Sequence, residues 1–230
     1  MKALRLAVLI PSPVRAPIAA GVAAWEASRD LRRRFHEADN DNALPSPTQA
    51  DYDDAAAIAG VAPVWLQTIA QIESLQTALS AAGQPIIRIE PHWWKKLAPE
   101  EAGAVDELKP LNPSDQARRW ANFERLHALN PDAATRCSSF GCSQIMGFNH
   151  EICGFKNPGL FLQAMKRGAR PQLIATARFI SHPRNERLRK AMLAGDVHAV
   201  AHHYNGPKYR QNKYDEKLAA GLRRFGDAMA

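Results

Sequence analysis

Residues 66–79 read LQTIAQIESLQTAL, and within them Leu66, Ile69 and Glu73 fall at i, i+3 and i+7. That spacing places all three on one face of a helix. Two of them are large aliphatics, so the face is the one a soluble protein buries, and it carries a carboxylate. Burial disfavours the ionised form of a carboxyl group, and the negative end of a helix acts in the same direction. A glutamic acid late in a helix on its apolar face therefore keeps its proton to higher pH than a free side chain. A general acid working near neutrality needs that property. A glutamate that reaches water at the stripe's margin, or that pairs with an arginine, has the same spacing, so the pattern alone leaves both readings open.

On either side of this stretch the pattern is mostly helical. TQADYDDAAAIAG (48–60) reads as a helix with Thr48 as N-cap, acidic residues in its first turn and Gly60 as its stop. Pro63 opens the helix that carries Glu73, expected to run to about Ala81. In GQPIIRIEPHWW (83–94), Ile87 and Ile89 alternate with Arg88 and Glu90 after a glycine turn, which predicts a strand and a short hairpin near 84–90. NPSDQARRWANFERLHALNPD (112–132) predicts one long amphipathic helix between Asn112 and Pro131. Further helices are expected near 140–148, 158–166, 171–181, 184–193, 196–204 and 214–228, with no internal repeat. The stretch 1–47 differs: it carries Arg32, Arg33 and Arg34 and then the polar, Pro-containing HEADNDNALPSPT. It reads as a variable leader, helical near 18–36, ending in a linker. The expected organisation is thus 1–47 as leader and 48–230 as one folded, mostly α domain.

A chain of 230 residues, 46% hydrophobic and 23% charged, has the balance of a soluble globular protein. Lys plus Arg number 30 against 23 Asp plus Glu, a net charge of +7 that favours a polyanionic target such as nucleic acid, an anionic membrane or bacterial cell wall. Nucleic acid is disfavoured. DDAAAIAGVAPVWLQTI resembles a helix-turn-helix in outline, yet no Lys or Arg lies between Arg34 and Arg88, and Asp51, Asp53 and Asp54 would be repelled by phosphate. Stable membrane insertion is not expected either. Pro11, Pro13 and Pro17 interrupt the apolar start MKALRLAVLI, and no apolar run approaches the ~20 residues a bilayer requires. His198 and His202 sit four apart, but without the H-E-x-x-H glutamate they read as ordinary histidines, and no metal is expected. Cys137, Cys142 and Cys153 are an odd set, read as buried small hydrophobes; a Cys137–Cys142 pair is the alternative.

Three more segments decide what the acid is for. SSFGCSQIMGFNHEICGF (138–155) holds Ser139, Gly141 and Gln144, expected near a helix start. IIRIEPHWW (86–94) holds Glu90 and His92 beyond a strand, and HHYNGPKYRQNKYDEKL (202–218) puts Tyr204 and Asn205 at a helix end. Together with AQIES (70–74), these resemble the N-acetylmuramidase domain of bacteriophage endolysins, a branch of the lysozyme-like superfamily. The resemblance runs over roughly 48–228, and S-F-G-C-S-Q-I-M-G-F-N and Y-N-G-P-x-Y-x-x-N-K-Y-D-x-K-L are its most specific parts. It implies an α+β lysozyme-like fold, in which a helical domain with one short β-hairpin lines a glycan cleft.

By the same resemblance Glu73 matches the catalytic acid, Ser139 and Gln144 the S-x-G-x-x-Q-I element lining the cleft, and Tyr204 and Asn205 the Y-N-G element bordering it. His92 matches part of an E-x-H element. The residues after the acid, ESLQTALSAAGQP, depart from the family's Gly-rich segment by having no glycine before Gly83. Ser and Gln can satisfy sugar hydroxyls and N-acetyl groups, and Trp93 can stack on a sugar ring or simply pack. Glycosidases usually need a second carboxylate, and Glu90 is the best candidate; its alternative is an ion pair with Arg88. The implied reaction is cleavage of the β-1,4 bond between N-acetylmuramic acid and N-acetylglucosamine, with a lytic transglycosylase as the other reading. The implied partner is the peptidoglycan glycan strand, bound by a monomer without metal or organic cofactor. Arg118, Arg119, Lys208 and Lys213 would supply a basic surface toward the wall. The protein would be made in the bacterial cytoplasm and act in the periplasm after release, through a holin or another route.

Overall fold

The computed structural model describes residues 46–227, so the expected leader and its helix near 18–36 lie outside the described residues apart from the last two positions. The first helix, α1 (Gln49–Ala59), begins as its sequence predicts. Thr48 and Asp51 form a reciprocal capping box, and Gly60 ends the helix in the left-handed region at φ 66°. The second, α2 (Pro63–Ser74), has Pro63 at its first position but stops well short of the expected Ala81. Leu75 and Gln76 take φ values of 54° and 60°. Their N–H groups turn back to the carbonyls of Gln71 and Ala70, an arrangement usually built on glycine. A non-glycine residue in that conformation costs roughly 1–2 kcal/mol. Tertiary ties offset the cost. The Ser74 hydroxyl donates to the Cys142 carbonyl at 2.9 Å, and the Gln172 amide donates to the Ala78 carbonyl at 3.2 Å.

The chain then runs through β1 (Ile87–Ile89), α3 (Pro91–Leu97), α4 (Ala104–Glu107), α5 (Gln116–Leu129), α6 (Pro131–Arg136), β2 (Ser138–Phe140) and β3 (Ile145–Met146). It finishes with α7 (Pro158–Lys166), α8 (Ala169–Ser181), α9 (Glu186–Ala194), α10 (Val197–Asn205) and α11 (Tyr214–Asp227). The last five helices lie where their periodicity places them; α3, α4 and α6 were not anticipated. The long helix starts at Gln116 rather than Asn112, with Asp115 as its N-cap.

The strand lies at Ile87–Ile89 as expected; the chain before it folds back in a single antiparallel bridge, Leu79 opposite Pro85, but the ladder partner of the strand itself is distant in sequence. The three strands form one antiparallel sheet in the order β1-β2-β3, with Ile87 opposite Phe140 and Ile89 opposite Ser138. Residues 138–146, read as the start of a helix, are instead the true hairpin: β2, a four-residue turn, and β3. The free edge of β1 is closed by side chains. Asn112 accepts from the Ile89 N–H and donates to the Ile89 carbonyl, both at 2.8 Å. Gln116 accepts from the Ile87 N–H, and Arg119 donates to the Ile87 carbonyl. These bonds satisfy backbone groups that would otherwise be orphaned. Arg119, one of the cations expected to supply a basic surface, is half-buried and donates to the Ile87 and Pro113 carbonyls.

Two apolar cores result. One gathers Trp65, Leu66 and Ile69 of α2 with Leu173, Ile180, Val200, Tyr214 and Leu218. The other gathers Ile87, Ile89, Trp94, Trp120, Phe123, Phe140 and Phe161 around the sheet. Phe179 and Tyr204 pack against both, ring edge to face with centroids 6.2 Å apart. Glu73, at the end of α2, belongs to the first body and lies within electrostatic reach of Arg88 on the sheet of the second.

Candidate active site

Glu73 is the next-to-last residue of α2, on the turn where the helix presents unpaired carbonyls and the negative end of its dipole. The side chain is half-buried. The Tyr214 hydroxyl, from the first turn of α11, donates to Glu73 Oε1 at 2.6 Å. Burial raises the Glu73 pKa above the ordinary carboxylate value, and the Tyr214 hydrogen bond, Lys217 and Arg88 only partly oppose the rise. The expectation that this carboxyl faces inward with a raised pKa thus agrees with its surroundings. Tyr214 itself is buried, and its phenol is held well above its usual value by burial and then by the neighbouring carboxyl. It remains a donor. This residue stood inside the quoted N-K-Y-D motif but received no role from sequence; its position ten after Tyr204 was the available signal.

The turn between β2 and β3 is clamped to the acid's helix. Beyond the Ser74 bond to Cys142, the buried Gln172 of α8 reaches across. Its Oε1 accepts from the Cys142 N–H at 2.8 Å, and its amide donates to the Ala78 and Met165 carbonyls. Gly141 leads this turn at φ 78°, and a Cβ there would run into the Gln172 side chain. The close approach that this glycine permits is that of Gln172. Ser139 and Gln144 brace the same turn. The Ser139 hydroxyl donates to Gln144 Oε1 at 2.8 Å, and the Gln144 amide donates to the Ile86 and Gly141 carbonyls. Both amide protons of Gln144 are thereby used within the protein.

The sheet register sorts the remaining residues. Ile87, Ile89, Phe140 and Ile145 fill the core, while Arg88 stands opposite Ser139, and Ser139 opposite Met146, on the other face. Arg88 Nε meets Glu90 Oε1 at 2.8 Å, so the ion pair weighed as Glu90's alternative role is present. Glu90 Oε2 lies 3.8 Å from Nδ1 of the exposed His92. His92 and Trp93 occupy the first turn of α3. Trp93 is half-buried, stacks obliquely on Phe148 with centroids 4.7 Å apart, and carries Lys96 Nζ over its ring at 4.9 Å. Trp94 is fully buried and donates its indole N–H to the Glu101 carbonyl.

Tyr204 and Asn205 close α10. The Tyr204 hydroxyl donates to the Ser143 carbonyl at 2.7 Å, which ties this helix to the same turn, and its ring stacks on Tyr214 at 6.4 Å and 18°. Asn205 is exposed and accepts a long 3.4 Å bond from Asn212. The structure thus gathers Ser139, Gln144 and Tyr204 with Ser74 and Gln172 by hydrogen bonds around the 141–144 turn, and Glu73 joins them through Tyr214, whose ring stacks on Tyr204. Glu90, His92 and Trp93 form a second group reached through Arg88. His198 pairs with Asp215 at 3.0 Å. Among the described residues no group of three His, Cys, Asp or Glu side chains is placed to hold a metal. All three cysteines are buried and unpaired.

A carboxyl group at a helix end beside a small antiparallel sheet, in a mostly helical chain, is an arrangement that suits a glycosidase of the lysozyme type. Known proteins agree. The family pattern Muramidase, described as N-acetylmuramidase, matches residues 62–226. The chain is also similar to a solved structure titled "Crystal structure of Burkholderia AP3 phage endolysin", at 27% identity and a TM-score of 0.68, over 81% of this chain and 73% of that one. No curated protein matches in sequence. The chain belongs to the N-acetylmuramidase family, which makes it a peptidoglycan hydrolase.

Proposed function

We propose that the protein cleaves the β-1,4 bond between N-acetylmuramic acid and N-acetylglucosamine, with Glu73 as general acid, and so lyses the cell wall. The observation that carries this reading is the Glu73 carboxyl: half-buried at a helix C-terminus, raised in pKa, and fixed by the Tyr214 hydroxyl. Glu73 gives its proton to the glycosidic oxygen as the bond from C1 of the muramic acid breaks. Water then bonds to C1, and its proton passes to a carboxylate. Glu90 assists from the end of β1, where Arg88 holds it. Ser139, Gln144, Tyr204 and Asn205 border the glycan, with the first three acting mainly by fixing the wall of the groove. Trp93 offers a ring face, and His92 lies beside it.

A monomer acting on a glycan strand suffices for this chemistry, with no metal or cofactor. Work on the wall requires release from the cytoplasm, by a holin or another route, with 48–230 as the catalytic domain and 1–47 as a leader. Among the described residues no single helix is long and apolar enough to cross a membrane.

The engagement of Glu90 by Arg88 favours a second reading, a lytic transglycosylase that uses Glu73 alone and lets the muramic 6-hydroxyl replace water at C1. Two assays test the pair of readings. Glu73→Gln, folded by circular dichroism, should no longer clear a suspension of cell walls; full clearing would dismiss the acid. Mass spectrometry of the wild-type digest should show reducing muramic ends, whereas 1,6-anhydro ends would establish the second reading.

A further inference from the structure

We infer that Tyr214 is a positioning residue for the acid: its hydroxyl occupies Glu73 Oε1 and so assigns the transferable proton to Oε2. The inference rests on the reading of Glu73 as general acid. The bond is 2.6 Å long and joins the first turn of α11 to the last turn of α2. A phenol can donate one proton, and an oxygen that accepts it acts as the carbonyl oxygen of the protonated acid. The remaining oxygen carries the acidic hydrogen. After proton transfer the same hydroxyl stabilises the carboxylate that is left.

The aromatic surroundings explain why the donor stays in place. Tyr214 is 1% exposed, and the Tyr204 ring stacks on it almost parallel. Tyr204 does not hold the acid, because its own hydroxyl is spent on the Ser143 carbonyl. The Y-N-G tyrosine thus buttresses, and the later tyrosine of the motif does the positioning. The charged and titratable groups facing Glu73 are Tyr214 and the exposed Lys217 of α11, Arg88 of β1, and Tyr204 of α10. Of these only Tyr214 makes a direct hydrogen bond to it.

Tyr214→Phe keeps the stacked ring and removes the hydroxyl. The ionised form of Glu73 then loses its donor, so the alkaline limb of the rate profile moves upward by about 1–2 pH units. At the wild-type optimum kcat falls between about tenfold and a hundredfold with KM little changed, as expected for a misplaced proton. Tyr204→Phe breaks a bond that does not touch Glu73 and leaves the limb in place. A limb that stays put in Tyr214→Phe, or moves equally in Tyr204→Phe, overturns the inference. Should Tyr214→Phe not fold, protein made with 3-fluorotyrosine carries a more acidic, stronger donor and moves the limb downward; no movement there refutes the role as well. Glu73→Gln separates the two levels. An active Glu73→Gln protein removes the underlying reading, whereas an inactive one beside an unmoved limb in Tyr214→Phe removes only the role of Tyr214.

Discussion

Gln172 offers the sharpest test of how the fold holds the acid. The side chain is 2% exposed and makes three hydrogen bonds, at 2.8 Å from the Cys142 N–H, 2.9 Å to the Met165 carbonyl and 3.2 Å to the Ala78 carbonyl. Gln172→Met preserves volume and removes every one of these bonds. Each buried partner left unpaired costs about 1–3 kcal/mol, and neighbouring losses add incompletely, which gives roughly 3–5 kcal/mol together. For a domain of this size each kcal/mol lowers the melting temperature by roughly 2–4 °C, so a fall of about 6–20 °C is expected. Two of the three partners, Cys142 and Ala78, flank the acid's helix end. Wall clearing should therefore decline even at temperatures where the variant is fully folded. Calorimetry and a turbidity assay read the two effects. A melting temperature within 2–3 °C of the parent, with activity intact, would show that Gln172 does not clamp the turn (that shift being about 1 kcal/mol).

Two further outcomes follow from ionisable groups. Because the folded-state pKa of Glu73 is raised, its contribution to stability is fully present below the unfolded value and is lost as pH rises through the folded value. Urea unfolding should therefore find Glu73→Gln more stable than the parent at pH 8 and nearly equal to it at pH 4; equal stability at both would remove the burial argument. Burial pushes the thiols of Cys137 up to about 11 and of Cys142 and Cys153 to about 12. A thiol reagent at pH 8 should leave the native protein unmodified and titrate three groups after denaturation; rapid labelling of the native form would contradict their packing.

Local chemistry made parts of this molecule legible from sequence. The Thr48 cap, the Gly60 stop and the alternation at Ile87 and Ile89 each act within a few residues, so each could be read directly. The end of α2 could not be read. No glycine marks it, and the left-handed pair Leu75–Gln76 is held by Cys142 and Gln172, about 65 and 95 residues away. The hairpin at 138–146 was misread for a related reason. Its strands are two or three residues long, too short for a period to show, and serine, glycine and glutamine alternate irregularly with apolar residues through the stretch. Of the candidate site, Glu73 was legible by spacing together with motif. Gln172 was not: one of several polar residues on α8, it gains its meaning only from a turn 30 positions away. Arg119 illustrates the same limit: its charge is legible in sequence, but its bond to the edge of β1, 32 positions away, is not.

The titration of the Glu73 carboxyl can be followed directly. With glutamate labelled at the side-chain carboxyl, the resonance missing from Glu73→Gln identifies Glu73, and its chemical shift against pH gives its midpoint. The midpoint should lie clearly above that of the exposed glutamates, as burial at the end of α2 requires. A midpoint at or below theirs would mean that the carboxyl is freely solvated and has no proton to give near neutrality.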